Sequence, residues 1–158
     1  MQHLASMKLK SPNKLYDPIR DMWVERLPEE EVRQNCIQNL LRLSYPKRYI
    51  AVELSVKKAS FDPRSAKRRI DIAVFCTLKG DMYPLLLIEC KDTLPKESLA
   101  EEKALRQLTG YNAEMKAPFL GLVSKEGISV YWNEQKKRRQ TPYLPTFQEL
   151  VQAWQSLS

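Results

Sequence analysis

The sequence has little of several residue types on which particular activities depend. It contains one histidine, His3, and only four glycines in 158 residues. Mechanisms that need histidine as a base or metal ligand are therefore nearly excluded. The absence of a fixed-period repeat or a biased tract argues against a repeat array or a disordered chain. The three cysteines, Cys36, Cys76 and Cys90, lie in apolar segments without C-x-x-C spacing, which predicts buried thiols rather than a zinc site or disulfides.

Long apolar runs are also missing. No run approaches the roughly 20 residues that a membrane-spanning helix needs, and residues 1–14 lack the apolar stretch of a secretory signal. We therefore expect a cytoplasmic protein without membrane association. The length suits one compact domain, which we place at residues 27–158 after an N-terminal extension at residues 1–26.

The charge of the chain is strongly basic. Twenty-six basic residues outnumber 19 acidic ones, for a formal net charge of +7, and several cluster at residues 57–58, 64–69 and 136–139. Such patches could follow a phosphate backbone, so they favour a polyanionic partner such as nucleic acid. They would equally suit a solvated surface that keeps the protein soluble. Charge alone leaves both interpretations open.

Hydrophobic spacing predicts a mixed order of helices and strands. We expect a helix at residues 27–44, a strand at 49–57, a hairpin of strands 69–78 and 83–91 around a loop at 79–81, and a helix at 97–116. Short strands follow at 119–124 and 128–132. Thr146 and Glu149 form a capping box that opens a closing helix. The order is helix, three strands, helix, two strands, helix.

The hairpin contains the most informative spacing in the sequence. If residues 79–81 form a three-residue loop, Asp71 lies directly opposite Glu89, and their Cβ atoms are roughly 5 Å apart. Lys91 shares that face because side chains alternate along a strand. Two carboxylates this close repel each other unless a cation, a shared proton or a basic partner lies between them. Mg²⁺ is the natural cation because it prefers oxygen ligands.

These residues would support phosphodiester hydrolysis. Lys91 could orient or help to deprotonate an attacking water whose pKa the metal lowers. The alternative is a structural ion-pair cluster at a strand end. The loop length is the weak step of this prediction, because a two-residue turn would put Asp71 and Glu89 on opposite faces.

Four motifs resemble those of a known family. The segments Arg69-Ile70-Asp71 and Ile88-Glu89-Cys90-Lys91 resemble the R-x-D and E-x-K signature of the PD-(D/E)XK nuclease superfamily. The P-E-E-x-V-R-Q element at residues 28–34 and the Q-x-x-x-Y element at residues 107–111 resemble the N-terminal nuclease domain of type I restriction enzyme motor subunits. The resemblance covers about residues 27–125. It implies an α/β (α+β) fold with a restriction-endonuclease-like αβββαβ core, in which helices flank a central mixed sheet.

The resemblance also implies residue roles. Asp71 and Glu89 would be the ligands of Mg²⁺, with Mn²⁺ as a substitute, and Lys91 the catalytic lysine. A glutamate of the first helix often reaches the same metal: Glu30 holds the matching position, although Glu29 lies nearer the centre of the apolar face, and both could simply favour the helix dipole. Gln107 and Tyr111 share one helix face and could reach the metal or the DNA. Other candidates are phosphate contacts at Arg69, Arg68 and Lys67, and Glu53 on the polar face of the preceding strand, ranked below the rest.

Two functions of different classes follow. The first is a metal-dependent endonuclease on DNA, in restriction or repair. The second is a non-catalytic nucleic-acid-binding or assembly subunit that keeps the nuclease fold. The sequence has no G-x-x-x-x-G-K-[ST] phosphate loop, so we expect any helicase or specificity function to come from a partner subunit. Cutting both strands of a duplex favours a homodimer. Whether the substrate is DNA or RNA, and single- or double-stranded, stays open.

Overall fold

The computed structural model describes residues 13–56, 69–132 and 139–157. These ranges confirm the predicted α/β class and the predicted order of helices and strands. Three short strands, at residues 14–17, 22–25 and 139–141, were not predicted. In chain order the elements are β1 (Lys14–Asp17), β2 (Met22–Glu25), α1 (Pro28–Arg42), β3 (Ile50–Ser55), β4 (Arg69–Leu78), β5 (Asp81–Cys90), α2 (Leu99–Met115), β6 (Phe119–Ser124), β7 (Gly127–Trp132), β8 (Arg139–Thr141) and α3 (Phe147–Leu157).

A mixed sheet with strand order β3-β4-β5-β6-β7-β8 forms the centre of the described structure. Among the described strands only β5 and β6 pair in parallel, and α2 makes the crossover between them. Residues of α1 and α3 share one apolar cluster with the sheet, whereas α2 packs in a second cluster. All residues from Leu85 to Cys90 are buried because both faces of β5 are covered. The three cysteines are buried free thiols, as predicted.

The helix ends follow the signals in the sequence. Pro28 occupies the first turn of α1. The Ser98 hydroxyl accepts the Glu101 N–H at the start of α2, which continues through Gly110. Thr146 and Glu149 exchange the two reciprocal hydrogen bonds of the predicted capping box, each 3.2 Å long. No helix in the described ranges is long and apolar enough to cross a membrane.

The β4–β5 hairpin reaches the predicted register by a different route. Its turn has two residues, Lys79 and Gly80, with φ of 52° and 85°, so the predicted three-residue loop is wrong. Positive φ at both positions is what a tight two-residue hairpin turn requires, and glycine adopts it easily. A bulge then adds Leu85 to β5, because Phe75 pairs with Pro84 while Val74 pairs with Leu86. Beyond the bulge the pairing is the predicted one.

The bulge explains why the predicted pairing register is observed near Asp71 although the predicted loop length is wrong. Leu85 and Leu86 are consecutive, yet both are fully buried in the same apolar cluster. The extra residue reverses once the alternation of β5 side chains between the two faces of the sheet. This reversal cancels the one-residue shift in pairing that the shorter turn introduced. Pro84, which has no N–H to donate, lies at this irregularity. Ile72 therefore pairs with Ile88, and the next position on each strand is Asp71 and Glu89.

Residues 14–25 form a separate two-stranded hairpin, β1–β2. Its turn is organised by Asp17, whose side chain is fully buried. Asp17 Oδ1 accepts the N–H groups of Ile19 and Arg20, and Oδ2 accepts Arg20 Nε at 2.6 Å and Gln34 Nε2 at 2.9 Å. Gln34 belongs to α1, so this carboxylate ties the hairpin to the first helix. The domain boundary at residue 27 stays a prediction.

Replacing Asp17 with asparagine should destabilise the protein by about 2 to 4 kcal/mol, because buried donors lose a charged acceptor. An amide nitrogen in place of Oδ2 would face the N–H groups of Arg20 and Gln34. Burial alone would raise the pKa of Asp17, but these hydrogen bonds hold it below 3.8. The stabilisation is therefore present above about pH 4 and is lost as the pH falls through the lowered pKa.

Urea unfolding at neutral pH measures this effect. Asp21→Asn is the matched control, because Asp21 lies in the same turn but is exposed. We expect its free energy of unfolding to stay within about 0.5 kcal/mol of the natural protein. Equal destabilisation by the two variants would contradict the role given to Asp17.

Candidate active site

Three carboxylates stand side by side on adjacent strands. Val52 pairs with Ile72 and Leu54 with Ile70, so Glu53 of β3 lies opposite Asp71 of β4. Asp71 in turn lies opposite Glu89 of β5 by the hairpin register. Glu53 has a left-handed φ of 53° within a strand, a conformation that costs a non-glycine residue about 1 to 2 kcal/mol. Such local strain is typical of functional sites.

Lys91 lies beside Glu89 at the end of β5. Its Nζ is 3.3 Å from Glu89 Oε1, and a third of the lysine side chain is exposed while the glutamate is 5% exposed. Burial, and then the charge of Asp71, raise the pKa of Glu89 to about 8, and the charge of Lys91 offsets part of that rise. Burial would lower the pKa of Lys91, but Glu89 outweighs it and raises this pKa above 10.5.

Asp71 is held by two donors. Arg33 Nη2 of α1 donates to Oδ1 at 2.7 Å, and the Cys90 N–H donates to Oδ2 at 2.8 Å. Burial would lower the pKa of Arg33, but its hydrogen bond to Asp71 and the Asp71 charge raise it. Each carboxylate oxygen has two lone pairs, so one on each oxygen remains for another partner. The orientation of Asp71 is thus fixed before any ligand binds.

A network of arginines and carboxylates surrounds this group. Glu30 Oε2 accepts Arg33 Nη1 at 2.5 Å, and Glu30 Oε1 accepts Arg20 Nη2 at 2.8 Å and Gln34 Nε2 at 3.0 Å. Arg20 Nη1 also donates to Glu53 Oε2 at 3.0 Å. Arg33 Nη1 lies 3.5 Å from Glu53 Oε1. The hairpin β1–β2, helix α1 and strands β3 to β5 therefore meet in one connected cluster.

The predicted site residues fall into three groups. Asp71, Glu89 and Lys91 come together in the first group. Glu30 faces the cluster, whereas Glu29 is exposed. The charge of Glu29 nevertheless contributes to the raised pKa of Lys91. Gln107 donates to the Tyr111 hydroxyl at 3.0 Å, and no contact described in the structure joins this pair to the carboxylates. Arg69 is exposed, with Nη1 3.8 Å from Glu53 Oε2. Lys67 and Arg68 lie outside the described residues.

Comparison with known protein families identifies the family to which the chain belongs. The model of the type I restriction enzyme R protein N terminus matches residues 28–147. The chain belongs to this family. A search of curated proteins finds no match. The region that matches the R protein N terminus includes α1 and all of the main sheet, with Asp71, Glu89 and Lys91, and it excludes the hairpin β1–β2.

Some members of the cluster were missed at the level of sequence. Arg33 and Gln34 belong to the P-E-E-x-V-R-Q element that resembles the R protein N terminus, but only Glu30, with Glu29 as its alternative, was given a role there. The signal existed, because Arg33 and Gln34 follow Glu30 at the three- and four-residue spacing of one helix face. Arg20 and Asp17 gave no such signal, since they form a local turn in a short hairpin. Glu53 is more central than its low ranking predicted.

The donor set of this R protein N-terminal domain suits a hard divalent cation. Glu89 Oε2 is buried and has no hydrogen-bond partner among the described residues. Among the described residues, five carboxylates (Asp17, Glu30, Glu53, Asp71 and Glu89) face four basic groups (Arg20, Arg33, Arg69 and Lys91), which leaves one negative charge when Glu89 is ionised. Within the described ranges, no three His, Cys, Asp or Glu side chains are arranged so that together they could hold one metal ion. Two carboxylates completed by water and phosphate is the usual arrangement for Mg²⁺.

Proposed function

We propose that the domain is a Mg²⁺-dependent endonuclease acting on DNA, in which Asp71 and Glu89 hold the metal and Lys91 acts at the phosphate. The observation that carries this proposal is the juxtaposition of Asp71 and Glu89 on adjacent strands with Lys91 3.3 Å from Glu89. Membership of a restriction-enzyme family and the basic charge of the chain support it. Mn²⁺ would substitute for Mg²⁺ because it accepts the same oxygen ligands.

The residues would divide the work as follows. A bound divalent ion would supply charge screening at the scissile phosphate and a more acidic water. Asp71 would present its free lone pairs in a direction fixed by Arg33 and the Cys90 N–H. Glu89 would contribute Oε2, the oxygen without a partner in the described residues. Lys91, whose ammonium is partly exposed, would orient the water or stabilise charge on a phosphate oxygen.

We propose DNA and other subunits of a restriction system as the partners. Membership of the R-protein family supports both, since the R protein is one component of a type I restriction enzyme. The exposed Arg69 guanidinium beside Glu53 would contact a backbone phosphate at the rim of the site. A motor or specificity function would then be supplied by another domain or subunit.

Cleavage of plasmid and single-stranded DNA, with Mg²⁺, with Mn²⁺ and with EDTA, tests the proposed activity. We expect metal-dependent cutting that EDTA abolishes and that Asp71→Asn lowers at least about 100-fold, because the variant loses one anionic ligand. Asp92→Asn is the matched control. Asp92 is an acid two residues beyond the end of the neighbouring strand β5, where it pairs with Lys125 at 2.7 Å. Its activity should stay within about twofold, as for surface substitutions elsewhere.

Two outcomes would overturn the proposal. Cutting that persists in EDTA or in Asp71→Asn would show that the metal site is not responsible. DNA binding without cutting under any condition would favour the binding or assembly subunit instead. Melting temperatures of both variants separate loss of activity from loss of fold.

A further inference from the structure

Arg20 makes contacts that are unusual for a residue outside the matched family region. Three different nitrogens of its guanidinium reach three different carboxylates: Nε to Asp17 at 2.6 Å, Nη2 to Glu30 at 2.8 Å and Nη1 to Glu53 at 3.0 Å. The side chain is 19% exposed. Arg20 therefore connects the N-terminal hairpin to α1 and β3 at the edge of the candidate site.

Arg20 is linked to Asp71 through two intermediate residues, Glu30 and Arg33. Glu30 accepts Arg20 on Oε1 and Arg33 on Oε2, so the position of Glu30 sets where the Arg33 guanidinium lies. Arg33 in turn donates to Asp71 Oδ1. Glu53 gives a parallel route, since it contacts Arg20 and lies 3.5 Å from Arg33. Hydrogen-bonded partners of metal ligands commonly change metal affinity or activity 10- to 100-fold when they are altered.

Arg20 is itself held in place. Asp17, which is fully buried, accepts both the backbone N–H and the side-chain Nε of Arg20. The hairpin thus presents a guanidinium whose orientation is already fixed, and only the two terminal nitrogens remain to hold Glu30 and Glu53. A pre-ordered group loses less conformational entropy when it positions its neighbours.

We propose that Arg20 is a positioning residue of the site and that the hairpin β1–β2, although outside the matched region, is a working part of the nuclease. Arg20 fixes Glu30 and Glu53, and through them it fixes Arg33 on Asp71. This inference rests on the proposed nuclease function for its effect on catalysis. The link from Arg20 to Arg33 stands independently of that function.

The variant Arg20→Lys distinguishes a role of Arg20 in positioning its neighbours from a role in charge balance alone. Lysine keeps the positive charge, so the net charge of the cluster is unchanged. It cannot place three donors in the planar fork that three separate carboxylates require. A role in charge balance alone would tolerate this change, whereas a positioning role would not.

The control is Arg26→Lys, because Arg26 belongs to the residues that follow β2 and makes an exposed ion pair with Glu31 at 3.4 Å. Three measurements compare the two variants with the natural protein. NMR of the arginine side chains in metal-free protein reports how ordered the Arg33 guanidinium is. Titration calorimetry with Mn²⁺ gives the metal dissociation constant. DNA cleavage gives kcat and KM.

We expect Arg20→Lys to increase the mobility of the Arg33 guanidinium, to raise the Mn²⁺ dissociation constant about tenfold and to lower kcat at least about tenfold with KM within twofold. Arg26→Lys should change none of these. An Arg33 signal in Arg20→Lys as ordered as in the natural protein would overturn the inference, even with a lower melting temperature. If the natural protein neither binds Mn²⁺ nor cuts DNA, the proposed function fails, and the Arg33 signal still decides the positioning link.

Discussion

Replacing Lys91 with alanine is expected to lower kcat by about 10²- to 10³-fold, because the lysine supplies an oriented charge where the phosphate reacts. Lys91 Nζ lies 3.3 Å from Glu89, and a third of its side chain is open to a substrate. The variant removes one positive charge next to the proposed metal ligands. Mn²⁺ binding should therefore be retained or become tighter, while cutting is lost.

Retained Mn²⁺ binding together with lost cutting would distinguish the role of the lysine from the role of the carboxylates. Loss of Asp71 or Glu89 should weaken metal binding and activity together. Lys125→Ala is the matched control, since Lys125 is an exposed lysine that pairs with Asp92. Single-turnover cleavage and Mn²⁺ calorimetry on the two variants make the comparison. Lys91→Ala with undiminished cleavage would mean that this lysine only stabilises Glu89.

The second large effect is on stability. Glu89→Gln should raise the free energy of unfolding at about pH 8.5 by about 2 kcal/mol or more in metal-free buffer. Burial and the charge of Asp71 raise the pKa of Glu89 from 4.5 to about 8. The unfolded chain ionises near pH 4.5 while the folded protein keeps the proton. The stability of the natural protein therefore falls as the pH rises from about 5 to 8.

Glutamine has no proton to lose, so the variant should lack this fall. At about pH 5 the two proteins should differ little. Urea unfolding with EDTA across this pH range measures the effect, and parallel curves for the two proteins would contradict it. Mg²⁺ should then stabilise the natural protein at pH 8.5 and not the variant, because a ligand that binds only the folded state raises its stability.

Much of the fold could be predicted because the signals were local. The proline and acids of α1, the capping box at Thr146 and the apolar strands each depend on neighbours within a few residues. The pairing of Asp71 with Glu89 was also predicted, because a hairpin leaves few registers to consider. The predicted turn has one residue more than the observed turn. The predicted pairing also lacks the extra residue of β5 that forms the bulge. Neither error could be seen in the hydrophobic pattern, since Leu85 to Ile88 are consecutive apolar residues without alternation.

The rest of the site depends on contacts between residues far apart in the chain. Arg20 and Glu53 are 33 positions apart, and Arg33 and Asp71 are 38 apart. No turn of known length connects these pairs, so counting residues could not place them. The left-handed φ of Glu53 is a second obstacle, because glutamate has no local preference for it. The two carboxylates and the lysine were therefore predictable, whereas the position of Arg20 and the contact between Arg33 and Asp71 were not.

The bulge at Leu85 and the length of the turn together decide which face of the sheet the later residues of β5 occupy. The side on which Glu89 and Lys91 emerge depends on whether the number of residues between the turn and Glu89 is odd or even. The two-residue turn and the single inserted residue together give the correct parity. A chain that changed only one of them would keep its sheet and its apolar strands but would send both side chains to the opposite face. The fold would survive, and the cluster of charges would be divided between its two sides.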